Sequence, residues 1–169
     1  IPLPVTGMFI LLYVTFGKFR QAGLVLAIVP LALFGGMLAL NVRGMTLNVS
    51  SAVGFIAMFG LSIQNGIIMV SQVNGLRRGG MELRKSVIEG ARQRFRPILM
   101  TSITTILGLF PASLATGIGS DVQRPLATVI VYGLMFSTLI SMFLLPAFYY
   151  LVENNVLNKK KNDEKEYTI

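Results

Sequence analysis

The chain has 169 residues, 53% of them hydrophobic and 13% charged, with a formal net charge of +8. That balance excludes an ordinary water-soluble domain and fits a polytopic membrane protein. The chain has no Cys and no His, which excludes disulfides, thiolate chemistry and imidazole metal sites within it.

Charge is segregated. Long uncharged runs alternate with short basic clusters, as the positive-inside rule requires, and no basic stripe is interleaved with aromatics, so nucleic acid is not an expected partner. The chain opens directly into IPLPVTGMFILLYVTF, without a charged leader or start Met, as expected of a piece cut from a longer polypeptide. A first span covers about 3–16, short for a crossing, with Pro2 and Pro4 at its entry. The basic turn GKFRQ leads to a second span, about 22–42, which contains Pro30 and the Gly35–Gly36 pair. The loop RGMTLN leads to the third, about 50–73.

The third span is two-sided. At about 100° per residue, Ser50, Gly54, Ala57, Gln64, Asn65, Ser71 and Gln72 share one arc, and Phe55, Ile56, Phe59, Ile63 and Val70 point the other way. An amide pair at mid-depth is costly in lipid unless it meets protein or water. This span is therefore expected to have a working side.

The only long polar connection follows. Gly79–Gly80 breaks the chain, and MELRKSVIEGARQRF is expected as an amphipathic interfacial helix, about 81–93. Leu83, Val87, Ile88 and Ala91 form its apolar side, with Glu82, Lys85, Glu89 and Arg92 opposite. Pro97 is expected in the first turn of a fourth span, about 97–116. There Thr101, Thr104, Thr105, Gly108, Ala112 and Ala115 share one face and Ile103, Ile106, Leu107, Phe110 and Leu114 the other, with Pro111 removing one helical hydrogen bond. The fifth span, about 126–152, carries Gly133, Ser137 and Ser141 at four-residue spacing, a small-residue ridge for helix packing, as Gly54 and Gly108 are on their spans. Residues 153–169 form a charged tail, expected to be disordered. The fold class is thus all-α and polytopic: a transmembrane domain over 1–152 and a cytoplasmic tail.

Thirteen of the fifteen Lys and Arg residues fall on the side of the tail, and only Arg43 and Arg124 fall opposite. The tail side is therefore read as cytoplasmic. None of the seven acidic residues lies within a predicted span, so a proton-driven machine would need its titrating acid from elsewhere. Polar partners for such an acid are Gln64, Asn65, Thr101, Thr104, Thr105 and, at the cytoplasmic edge, Arg94. Each also has an ordinary reading: the amides as interhelical hydrogen-bond glue, the threonines satisfying their own helix carbonyls, Arg94 as a snorkelling anchor. The methionines share no common face, so packing is favoured over soft-metal ligation. With no acid–base pair inside a span and no metal site, a membrane-embedded enzyme is not expected. No catalytic residue, metal ligand or cofactor is assigned.

Two segments carry a resemblance. GFIAMFGLSIQNGIIMVSQVNGLR, and EGARQRFRPILMTSITTILGLFPASLATGIGSDVQRPLATVIVYGLMFSTLISMFLLPAFYYL, resemble the last transmembrane helices of resistance–nodulation–division (RND) efflux permeases, over about residues 1–152. The VQRPLATV wording and the Asn after Gln64 look most like the heavy-metal branch, of the cobalt–zinc–cadmium resistance type. The resemblance implies helices eight to twelve of a twelve-helix, homotrimeric permease of the bacterial inner membrane, with a periplasmic adaptor, an outer-membrane channel and proton antiport. It also implies relay partners at Gln64, Arg94 and Thr101. The drug-exporting branch has a lysine where Gln64 stands, and Gln cannot change charge, so that switch cannot operate identically here. Alternatives from the same residues are an RND permease for drugs or amphipathic compounds, and a non-transporting scaffold or export accessory.

Overall fold

The computed structural model describes the backbone of residues 2–166 and the side chains of residues 6–161. These residues form five helices: α1 (Pro2–Phe16), α2 (Phe19–Val42), α3 (Val49–Arg78), α4 (Leu83–Leu114) and α5 (Ser120–Glu166). The last four are long and apolar enough to cross a membrane, and α1 adds a shorter apolar helix. The chain is an all-α membrane segment, as its composition requires.

The helix ends follow from local sequence. Asn48 caps α3: its side chain accepts from the Ser51 N–H at 2.9 Å, and the Ser51 hydroxyl takes the Asn48 N–H at 2.9 Å, a reciprocal capping box. The C-termini of α2 and α3 close in the same way. Gly44, at φ +63°, and Gly80, at φ +86°, supply the left-handed residue after each helix. The next amides fold back, Met45 to the Leu40 carbonyl at 2.9 Å and Met81 to the Leu76 carbonyl at 3.3 Å, which is the Schellman pattern. The second of these turns α3 into α4 within a few residues.

α5 is the spine of the bundle and packs on α2, α3 and α4, while α1 packs on α2. Small residues allow the close approach. A Cβ on Gly54 would stand 3.0 Å from the Leu126 carbonyl oxygen and 3.2 Å from Val129 Cβ, and Gly133 lies against the Met58 thioether with no room for a side chain. The ridge then turns polar: Ser137 donates to the Ser62 hydroxyl at 2.9 Å, and Ser102 and Thr138 share a hydrogen bond at 2.7 Å. The Ser141 hydroxyl is buried without a hydrogen-bond partner among the described residues. A Cβ on Gly108 would meet nothing within 4 Å among the described residues, so this glycine does not serve packing among these five helices.

Two expectations are corrected. The 81–93 segment is not a separate helix: α4 runs unbroken from Leu83 to Leu114, with Pro97 and Pro111 inside it. Pro97 leaves only the Gln93 carbonyl without its helical donor, and Leu83 and Val87 on the apolar side of the segment are held by protein, while Ile88 stays exposed. Leu83, Val87 and Ile98 join a core with Val70 and Val73, and a Cβ on Gly90 would come within 2.7 Å of Val73 Cγ2. The second correction is the tail, which continues α5 as helix to Glu166; its last residues, 167–169, lie outside the described residues. Its first residue, Glu153, is buried, and that anchors the extension.

Candidate functional site

The predicted relay residues lie on α3 and α4. Positions 57, 64 and 71 are a heptad apart, and so are 94, 101 and 108, so each set runs along one line of its helix. Ala57, Gln64 and Ser71 on α3, and Thr101 and Gly108 on α4, are exposed. The five helices leave these positions uncovered, whereas Arg94, on the line of Thr101, is half-buried and reaches across to Gln72 of α3. Gln64 makes no side-chain hydrogen bond among the described residues.

Asn65 departs from this arrangement. It is 7% exposed and lies along the packed line of Met58, Ser62, Met69 and Val73. The broad polar arc expected on α3 is therefore divided: Gly54 and Asn65 turn inward, while Ala57, Gln64 and Ser71 stay on the open flank.

The threonines take their local option. Thr101 donates to the Pro97 carbonyl at 2.9 Å, Thr104 to Met100 at 2.8 Å and Thr105 to Thr101 at 2.9 Å. With its proton turned into the helix, each hydroxyl keeps oxygen lone pairs for a donor from outside. Arg94 forks onto Gln72 Oε1 through Nε at 3.0 Å and Nη2 at 2.8 Å. Gln72 donates on to Gln93 at 2.6 Å, and Gln93 to Glu89 at 3.0 Å. This chain joins α3 to α4 and fixes the guanidinium two turns from Thr101.

Sequence reasoning missed a second polar cluster at the same end of the bundle. Gln21, fully buried, exchanges hydrogen bonds with Asn74 at 2.7 and 2.9 Å, and donates to Tyr149 Oη and Glu153 Oε1, both at 3.2 Å. Tyr149 donates to Asn74 at 2.6 Å. The Glu153 carboxylate takes Arg77 Nη1 at 2.8 Å and faces Lys18 Nζ at 3.8 Å. Three helices meet here, each supplying a group that would be costly to bury alone. One signal was available: Tyr149 and Glu153 are four apart on α5, and Asn74 and Arg77 three apart on α3, so each pair shares a helix face.

Arg43 makes the corresponding link at the opposite end. Its Nη1 donates to the Ser113 carbonyl at 2.9 Å and to Thr128 Oγ1 at 3.2 Å, tying α2 to the end of α4 and the start of α5. A cation on a C-terminal carbonyl also suits the helix dipole. Arg43→Ala is expected to lower stability by about 1.5 kcal/mol, the low end for a bond to a charged group. Thermal unfolding in detergent measures the loss. Among the described residues, no cluster of His, Cys, Asp or Glu could hold a metal ion.

Four apolar helices of crossing length, stapled to one another by buried polar side chains, define the membrane domain of a multi-pass protein. Residues 1–153 match the AcrB/AcrD/AcrF family, and the chain belongs to that family, which bears out the resemblance to RND permeases. The chain is 43% identical to Protein HelA of Legionella pneumophila over 98% of its own length and 16% of that protein's. It is 39% identical to the cobalt-zinc-cadmium resistance protein CzcA of Cupriavidus metallidurans, over 99% of this chain and 15% of that one. A crystal structure of a heavy metal efflux pump superposes with a TM-score of 0.82 at 52% identity, covering 90% of this chain and 15% of the pump. The chain thus spans about one-sixth of the length of these relatives.

Proposed function

We propose that this chain is the C-terminal membrane segment, helices eight to twelve, of an inner-membrane permease that exports heavy-metal cations by proton antiport. The permease works as a homotrimer with a periplasmic adaptor and an outer-membrane channel, and its C-terminus is cytoplasmic. The observation that carries the mechanism is the open hydrogen-bonding flank of α3 and α4, with Gln64, Ser71 and Thr101 exposed. In a bilayer such a flank needs a polar partner. A proton-bearing acid from another segment of the longer polypeptide fits that need. Asp121 and the other described acids lie outside the flank, and Glu153 is already held by Arg77. A proton moving through about 100 mV supplies about 2.3 kcal/mol, which the acid's change of charge passes to its hydrogen-bonding neighbours.

Gln64 and Thr101 act here as neutral partners of the acid, and Arg94 as the cation that biases it at the basic end. Asn65 is set inward, away from the open flank, and is left out of this assignment. The metal substrate is favoured over drugs because several relatives are named for cobalt, nickel, zinc and cadmium resistance.

In the full-length permease, Thr101→Ala and Arg94→Ala are each expected to slow metal efflux by about tenfold, the upper end of the worth of one hydrogen bond, with membrane insertion intact. Metal uptake into everted vesicles under an imposed pH gradient reads this out. Unchanged rates in both variants would remove the relay assignment. Protection of cells against dyes but not against divalent metals would favour the drug-exporting reading.

A further inference from the structure

The basic end of the bundle holds a groove that the transport reading leaves unused. It lies between the start of α2 and the extension of α5, has a volume of about 600 Å³, and is lined by Arg20, Val152, Asn155, Val156, Lys159 and Lys160. A second hollow of about 260 Å³ adjoins it, sharing Arg20 and Val156 and adding Lys18 and Glu153. Four cations thus converge where an apolar helix leaves the hydrocarbon. Glu153, the one acid lining them among the described residues, is already engaged: its Oε2 takes Arg77 at 2.8 Å, and Oε1 accepts from Gln21 and faces Lys18. The first turn of α2 has no acidic residue and no side-chain cap, so the helix dipole adds to the positive field.

We infer that this groove binds the headgroup of an anionic phospholipid. Three features select a lipid over a soluble anion. The cations flank the same end of helices long and apolar enough to cross a bilayer, which is where headgroups are expected. Val152 and Val156, one turn apart on α5, give the groove an apolar wall that continues toward the acyl region. Arg20, Lys159 and Lys160 are exposed on long stems, which lets them reach a phosphate while their methylenes lie along the apolar wall. The helical continuation past Val152 has a role in this: a disordered tail would not hold Lys159 and Lys160 beside Arg20.

Native mass spectrometry of the full-length permease in detergent, titrated with phosphatidylglycerol, phosphatidylcholine or inorganic phosphate, tests the assignment. The expected result is selective retention of phosphatidylglycerol. Arg20→Gln, Lys159→Gln and Lys160→Gln together are expected to weaken it on the order of a hundredfold, since each basic residue near the surface is worth about fivefold. The charge-preserving set Arg20→Lys, Lys159→Arg and Lys160→Arg is expected to retain binding, as is removal of three cations elsewhere on the same end, Arg84→Gln, Lys85→Gln and Arg92→Gln. Equal losses from the two charge-removing sets would show diffuse attraction and overturn the site. Equal retention of phosphatidylcholine, or inorganic phosphate binding as tightly as the lipid, would overturn the lipid assignment.

Discussion

Glu153→Ala is expected to destabilise the protein by about 3–5 kcal/mol, the usual loss when one member of a buried ion pair is removed. The carboxylate is 6% exposed and joins α5 to α2 and α3 through Gln21, Arg77 and Lys18. Its removal leaves the Arg77 guanidinium, itself partly buried, without its only anionic partner among the described residues. It also takes away one of the acceptors of Gln21. Glu153→Gln keeps the shape and the Gln21 contact but loses the charge, so it is expected to cost less. The double variant Glu153→Ala/Arg77→Ala separates the terms: a deficit well below the sum of the single changes measures the coupling. Thermal unfolding of the purified protein in detergent supplies all four values. An additive result would mean that the pair contributes nothing beyond its separate members.

Gly133→Leu is expected to cost about 3 kcal/mol, the upper part of the overpacking range. Its position faces Met58, which is fully buried between α3 and α5, so a branched side chain must separate the two helices. In a bilayer, helix association rests on close packing and not on a hydrophobic drive, and lost contact is not recovered elsewhere. Gly108→Leu gives the contrast. That position meets nothing among the described helices, so these five helices are expected to keep their stability with it. Melting temperature reads both variants. Equal melting temperatures for the two variants would contradict the packing described for Gly133.

The membrane-crossing stretches of the long helices are legible in the sequence because charge is absent from them and concentrated beyond their ends, and because Asn48, Gly44 and Gly80 mark helix termini. Less can be read where two environments use the same pattern. Leu83, Val87 and Ala91 form the apolar side of an amphipathic helix whether that side meets lipid headgroups or Val73, so the pattern does not distinguish a surface helix from a packed one. Gln64 and Asn65 differ by about 100° around α3, and an arc wide enough to hold both hides the fact that only Gln64 is uncovered. The Gln21–Asn74–Tyr149–Glu153 cluster draws on three helices far apart in sequence. Its pairing depends on how those helices are aligned along one another, which no local pattern records. The relay residues follow from their chemistry and from resemblance. The structure adds that Thr101 already spends its proton on Pro97 and that Arg94 is held by Gln72.

The uninterrupted course of α4 has a mechanical consequence. Its 32 residues, at about 1.5 Å per residue, make a rod of about 48 Å. Pro97, which leaves the Gln93 carbonyl unpaired, is where this rod bends most easily, so a displacement at Thr101 reaches the Leu83 end only in the part that this bend does not absorb. The turn at Gly80, at the far end of the rod, is where that remainder would be observed.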